Sequence, residues 1–219
     1  MRAVSALRPH PTIPVTPWRA QSRWDLNTLR VAILVAGLFI FGLGDSLLIV
    51  SHLGNAPWTV LAQGVSSKLD ISVGASTFVV SLIVLSLWIP LRERPGFGTL
   101  ANIVVIATAI DIGISIFPSQ DTFVLQLAYV LIGIALVGVG SSLYITCGLG
   151  PGPRDGLMTA IHHRSGIAVG WVRGSIEIAV LLIGWTLGGR IGLGTALFAI
   201  LIGYSIALSF GVVSRLTRR

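Results

Sequence analysis

Seven polar or charged side chains lie in otherwise apolar stretches of this sequence, where such groups are costly and are therefore candidates for function. They are Asp45, Asn102, Asp111, Arg154, Asp155, Arg173 and Glu177. A guanidinium can hold a carboxylate or phosphate through two parallel hydrogen bonds, and a carboxylate can hold a proton or a cation. These residue types predict recognition of a polar solute. The residues predicted to serve in coupling or as other intramembrane polar groups are Asp45, Asn102, Asp111, Arg173 and Glu177. The candidates for proton or ion coupling among them are the carboxylates Asp45, Asp111 and Glu177.

A glycine- and proline-rich break at residues 148–157 ends in two opposite charges. A weaker version occupies residues 53–61, and adding 96 to its numbers aligns Pro57 with Pro153. Proline suits the first turn of a helix, where free N–H groups attract anions. We therefore predict a substrate site at the two breaks, formed by Pro57, Trp58, Gly150, Gly152, Pro153, Arg154 and Asp155.

Five of these charged residues also have a structural interpretation. Asp155 can cap the short helix that follows, while Arg154 anchors it near lipid headgroups. Arg173 and Glu177 lie four residues apart, share a helix face, and can form an ion pair that joins helices. Asp111 falls close to the end of its apolar stretch, so a position at headgroup level is also open to it.

The composition indicates a membrane protein. Of the 219 residues, 53% are hydrophobic and 11% are charged. Apolar runs of about 20 residues recur, which is the length needed to cross the hydrocarbon layer. The net charge of +7 could indicate nucleic-acid binding in a soluble protein, but most of the arginines lie in tails and short loops. We expect a lipid bilayer and a small-molecule solute as partners, and no nucleic acid.

The apolar pattern predicts an all-α polytopic protein with six transmembrane helices and two short helices. The spans are residues 31–50, 73–91, 98–117, 122–147, 168–187 and 193–213. The short helices, at 57–68 and 153–165, are re-entrant or interfacial, because a dozen residues reach only about 18 Å. Four regions follow: a flexible basic cytoplasmic tail at 1–30, a first repeat at 31–117, a second repeat at 118–213 and a basic cytoplasmic tail at 214–219.

The two repeats are copies of one sequence. When residues 42–99 are aligned with 138–195, 19 of 58 positions are identical, and glycines and prolines are prominent among them. Each copy has three spans, an odd number, so the second copy enters the membrane from the opposite side and the repeats are inverted. Inverted repeats with broken helices are a common transporter architecture, in which half-helix ends face a central substrate.

Basic residues favour cytoplasmic N- and C-termini. With the N-terminus inside, the outer side keeps only Lys68 and Arg190. The inner side collects the first five arginines, the last three, and Arg92, Arg94, Arg154 and Arg164. This distribution agrees with the positive-inside rule.

Signatures of catalysis and of metal binding are absent from the sequence. It has no His-Glu-x-x-His, no Gly-x-Ser-x-Gly and no lysine-bearing phosphate loop, so we expect neither an enzyme nor a cofactor. Cys147 is the single cysteine, and the adjacent His162 and His163 point to different sides of a helix. We therefore predict no metal site.

The segment from Gly148 to Met158, Gly-Leu-Gly-Pro-Gly-Pro-Arg-Asp-Gly-Leu-Met, together with Gly54, Pro57 and Trp58, resembles the YczE/YyaS/YitT group of bacterial integral membrane proteins. The resemblance is closest to the YczE-like branch and covers roughly residues 31–212. It implies a small multi-pass protein of the bacterial cytoplasmic membrane. It assigns no substrate and no catalytic residue.

Two hypotheses about function remain. In the first, the protein is a secondary transporter or permease for a small solute, with an anionic solute favoured by Arg154 at the second break. In the second, it is a non-transporting membrane scaffold or regulatory protein, and its intramembrane charged pairs only hold helices together.

Overall fold

The computed structural model describes residues 12–217, which form helices and no β-strand. The helices in chain order are α1 (Thr28–Ser51), α2 (Pro57–Leu69), α3 (Val73–Ser86), α4 (Trp88–Leu91), α5 (Phe97–Ile116), α6 (Phe123–Cys147), α7 (Pro153–Ser165), α8 (Val169–Thr186) and α9 (Leu193–Leu216). Six segments of this part of the chain are long and apolar enough to cross a membrane: α1, α3 with α4 (Val73–Leu91), α5, α6, α8 and α9. The predicted all-α fold with six spans is confirmed.

The predicted N-terminal tail is in part folded. Residues 1–11 and the last two residues of the C-terminal tail lie outside the described range. The segment before α1 is held against the end of α6, where Trp18 Nε1 donates to Thr146 Oγ1 at 3.2 Å and the Ala20 N–H donates to Cys147 O at 2.8 Å. The expectation of a flexible tail is therefore wrong for this segment, because tryptophan and backbone groups find partners that the sequence pattern does not reveal.

The centre of the bundle is the crossing of α1 and α6. Gly37 lies against Gly140, and Gly44 lies against Gly133, so the two backbones touch. Such close packing of small residues is how helices associate where lipid gives no hydrophobic drive. α5 packs on α1, and α9 packs on α6.

Unusual backbone conformations recur at an interval of 96 residues. Positive φ angles among the described residues fall into four pairs at this spacing: His52 and Gly148, Gly54 and Gly150, Asp70 and Gly166, and Arg92 and Gly188. The left-handed conformation is unfavourable for residues other than glycine. Its presence at His52, Asp70 and Arg92 therefore means that the backbone takes up the same local conformation at these equivalent positions, even where the residue type differs.

Hydrogen bonds between the halves recur in the same way. The Gly98 N–H at the start of α5 donates to Leu149 O at 2.8 Å, and the Gly194 N–H at the start of α9 donates to Leu53 O at 2.8 Å. Leu53 and Leu149 each lie in a glycine- and proline-rich break. Each break is therefore held by the last span of the other half.

The two halves differ in one equivalent contact, which is between α3 and α5 in the first half and between α8 and α9 in the second. In the first half, Gly74 lies against Ala107, and the Gly74 N–H donates to Asp111 Oδ1 at 2.7 Å. The equivalent residues of the second half are Gly170 and Gly203, and neither has a neighbouring atom within 4 Å of the point that a Cβ would occupy. α3 thus packs on α5, whereas α8 stands away from α9 and leaves a cleft.

Candidate functional site

A cavity of about 280 Å³ lies between this cleft and the N-termini of the two short helices. Apolar side chains, among them Phe41, Ile106, Val137, Met158 and Phe198, form much of its wall. Nine of the twelve predicted site residues also line it: Asp45, Pro57, Trp58, Asn102, Gly152, Arg154, Asp155, Arg173 and Glu177. The fold therefore gathers most of the predicted polar residues around one space.

Three predicted site residues lie elsewhere in the fold. Gly150 packs against Gly96, where its positive φ lets the second break approach α5. The Pro153 carbonyl accepts a hydrogen bond of 3.0 Å from Trp88 Nε1. Asp111 belongs to the α3–α5 contact. The structure gives each of these three a packing contact outside the cavity.

The first turns of α2 and α7 face each other across the cavity. Pro57 and Pro153 occupy the first helical positions, and no side chain caps either helix. The Arg154 guanidinium lies over the Trp58 ring, with Cζ 5.1 Å from the ring centroid, which is a cation–π contact. Two helix N-termini with their positive dipole ends and one arginine therefore meet at the same place, an arrangement that attracts anions.

Asp45 is buried beside this meeting point. Its Oδ2 accepts a hydrogen bond of 3.3 Å from Thr59 Oγ1, whereas its Oδ1 is buried and has no hydrogen-bond partner. The salt bridges of the described range are Arg30–Asp25 and Arg173–Glu177, so Asp45 and Arg154 line the same cavity without forming an ion pair. An orphaned carboxylate oxygen in a cavity is costly unless a ligand, a proton or a cation satisfies it.

Tyr144 is a site residue that the sequence interpretation missed. Its hydroxyl donates to Asp155 Oδ2 at 2.7 Å, so Asp155 is held by α6 from the side. The equivalent residue of the first half is Leu48, which is fully buried. The replacement of leucine by tyrosine between the two copies was the signal that could have identified it.

Arg173 and Glu177 form an ion pair of 2.8 Å within α8. The prediction that they join two helices is therefore not met. Their side chains are 48% and 29% exposed, whereas the equivalent residues of the first half, Thr77 and Ser81, are buried. The pair marks the face of α8 that borders the cleft.

A second cavity, of about 400 Å³, adjoins the first. It is lined by Arg19 and Arg23 of the N-terminal segment, and it shares Tyr144 and Asp155 with the first cavity. Tyr144 and Asp155, which are hydrogen-bonded to each other, therefore lie between this second, basic chamber and the first cavity.

Comparison with known proteins defines the family. Residues 28–210 match the model of a family of unknown function, DUF6198. The chain belongs to the DUF6198 family. It is 44% identical over 204 residues to an uncharacterized protein of Haemophilus influenzae, covering 93% of this chain and 94% of that protein. It is 34% identical over 183 residues to the uncharacterized membrane protein YczE of Bacillus subtilis, covering 83% and 85% of the two chains.

A third relative, the uncharacterized protein YyaS of Bacillus subtilis, is 30% identical over 185 residues, covering 82% of this chain and 91% of that one. The resemblance to the YczE-like group is thus confirmed, and the DUF6198 protein is a multi-pass integral membrane protein. No solved structure matches the chain.

Proposed function

We propose that this DUF6198 protein is a secondary transporter of the bacterial cytoplasmic membrane, in which two inverted repeats alternately expose a central site to the two sides. The observation that carries the proposal is the difference between two equivalent contacts, the closed α3–α5 pair and the open α8–α9 pair. In an inverted repeat the two pairs lie toward opposite sides of the membrane. If α8 packs on α9 while α3 separates from α5, a central site that was open to one side of the membrane becomes open to the other.

The 96-residue recurrence supports the inverted arrangement. The four pairs of positive φ angles and the reciprocal hydrogen bonds at Gly98 and Gly194 relate the halves. Because each half has three spans, equivalent positions come to lie on opposite membrane faces. The α8–α9 cleft then opens toward the side that carries the N-terminal segment, and the arginine distribution supports a cytoplasmic position for that side.

The chamber next to the N-terminal segment fits the inner end of a solute path. Arg19 and Arg23 give it positive charge, which raises the local concentration of anionic solutes. Tyr144 and Asp155 stand between this chamber and the cavity that contains Arg154. In the proposed mechanism a solute binds with its anionic group toward Arg154, and closure of α8 on α9 then accompanies separation of α3 from α5.

The inverted topology predicts opposite labelling at two equivalent positions. Lys68 and Arg164 are exposed residues near the ends of α2 and α7, 96 positions apart. In a Cys147→Ser background, we expect Lys68→Cys to react with an impermeant maleimide from outside intact cells, and Arg164→Cys only after the membrane is permeabilised. Serine suits the background because Ser51 is the equivalent residue. Reaction of both cysteines from the same side would rule out the inversion.

Transport itself is tested by uptake of radiolabelled organic anions, phosphate and amino acids into proteoliposomes that contain the purified protein. Time-dependent accumulation above that of protein-free vesicles is the expected result. Absence of flux for the whole panel, with protein that remains monodisperse, would favour a scaffold or regulatory role instead.

A further inference from the structure

We propose that the central cavity binds a zwitterion, an α-amino acid with a small apolar side chain, rather than a simple anion. This inference rests on the proposed transport function and names its substrate class. Its basis is a set of polar groups, on residues that line the cavity, that have no hydrogen-bond or ion-pair partner in the described part of the chain. These groups include both hydrogen-bond donors and an acceptor.

The donors suit a carboxylate. Trp58 Nε1 is buried without a hydrogen-bond partner, and Arg154, which lies over the same ring, takes part in no ion pair. The uncapped first turns of α2 and α7 add backbone N–H groups at the same end of the cavity. A carboxylate placed here would satisfy indole, guanidinium and helix ends together.

The acceptor suits an ammonium group. Asp45 is 1% exposed, and its Oδ1 is without a partner, while Thr59 already occupies Oδ2. The cavity wall has two other carboxylates. Asp155 is engaged by the Tyr144 hydroxyl and by its place in the first turn of α7, and Glu177 is paired with Arg173. Asp45 is therefore the carboxylate left for a cationic group of the ligand.

A simple anion would bind Arg154 and leave the Asp45 oxygen unsatisfied beside an added negative charge. A zwitterion satisfies both sets of atoms and brings no net charge into the membrane, where charge is costly. The remaining wall, with Phe41, Ile106, Val137 and Met158, suits an aliphatic or thioether side chain. The cavity volume of about 280 Å³ fits a solute of this size better than a peptide or a nucleotide.

The test measures binding of matched compounds to the purified full-length protein in nanodiscs. The panel is leucine, valine, methionine and phenylalanine, each with the corresponding acid lacking the amino group and the amine lacking the carboxylate. We expect at least one amino acid to bind about tenfold or more tightly than both of its truncated analogues, because each loses one charge-assisted interaction.

Asp45→Asn should remove the preference for the amino acid over its acid analogue, while Asp70→Asn, at the exposed end of α2, should not. Acids that bind as tightly as the amino acids would overturn the zwitterion inference and leave the proposed transporter of anions intact. If phosphate or an unrelated anion binds and no amino acid does, the zwitterion inference again fails while the proposed transporter of anions stands. If no compound of any series binds, the central site and the inference fail together.

Discussion

Arg154→Gln is expected to reduce solute binding and proteoliposome flux by roughly 30-fold or more, since removing one partner of a buried charged contact costs about 2–5 kcal/mol. Arg154 stands where the two short helices meet, and glutamine keeps hydrogen-bonding groups but removes the positive charge. Arg154→Lys should lose less activity, because lysine keeps the charge but lacks the planar fork that binds a carboxylate through two bonds.

The matched control is Arg164→Gln, which removes the same charge from the exposed end of the same helix. We expect its flux to stay close to that of the unmodified protein. Thermal stability and gel-filtration profiles of both variants separate loss of function from loss of fold. Flux that survives Arg154→Gln would remove this residue from the site and with it the argument for an anionic group.

Gly170→Leu is expected to leave solute binding nearly unchanged and to reduce flux by about fivefold or more. In the structure no atom lies within 4 Å of the point that a Cβ on Gly170 would occupy, so we expect leucine to be accommodated there with the cavity unchanged. In the exchanged packing Gly170 would occupy the place that Gly74 has against Ala107, where even a Cβ does not fit. Overpacking of this kind costs about 1–3 kcal/mol, which depopulates the second state by roughly 5- to 150-fold.

Gly174→Phe is the control for this variant. Gly174 lies one turn later on α8, also without a neighbouring atom, and its equivalent in the first half is Phe78, which is 37% exposed. A phenylalanine there matches the packed half and should not oppose closure. Equal loss of flux in Gly170→Leu and Gly174→Phe would mean that bulk on α8, rather than the blocked contact, is responsible.

Helix positions could be predicted from the sequence because a bilayer leaves few choices for apolar runs of this length. The short helices begin at Pro57 and Pro153 as predicted, since proline fixes the first turn. The gathering of Asp45, Trp58 and Arg154 at one cavity follows from the pairing of the two breaks, and the 96-residue comparison already indicated that pairing.

Other features depend on tertiary contacts that no local pattern encodes. Tyr144 belongs to the site because α6 places its hydroxyl beside Asp155, and Asp111 does not because α5 turns it toward Gly74. Both residues lie on largely apolar helices, and the sequence of such a helix does not distinguish the face that lines a cavity from the face that packs on another helix. The attachment of Trp18 to Thr146 is likewise a long-range contact.

The proposed exchange between the α3–α5 and α8–α9 packings is tested most directly by disulfide cross-linking of two equivalent cysteine pairs in a Cys147→Ser background. Ser72 and Asp111 are joined in the structure by a hydrogen bond of 2.6 Å across the α3–α5 contact. The equivalent pair across the α8–α9 cleft is Ala168 and Ala207. A disulfide needs Cα atoms within about 7 Å of each other, so each pair reports whether its side is closed.

We predict that Ser72→Cys with Asp111→Cys cross-links rapidly without solute, and that Ala168→Cys with Ala207→Cys cross-links slowly unless a transported solute is present. Each disulfide should stop flux, and reduction should restore it. If the second pair never cross-links while flux continues, or if both pairs cross-link at once in the same molecule, the two halves do not alternate and the proposed mechanism is wrong.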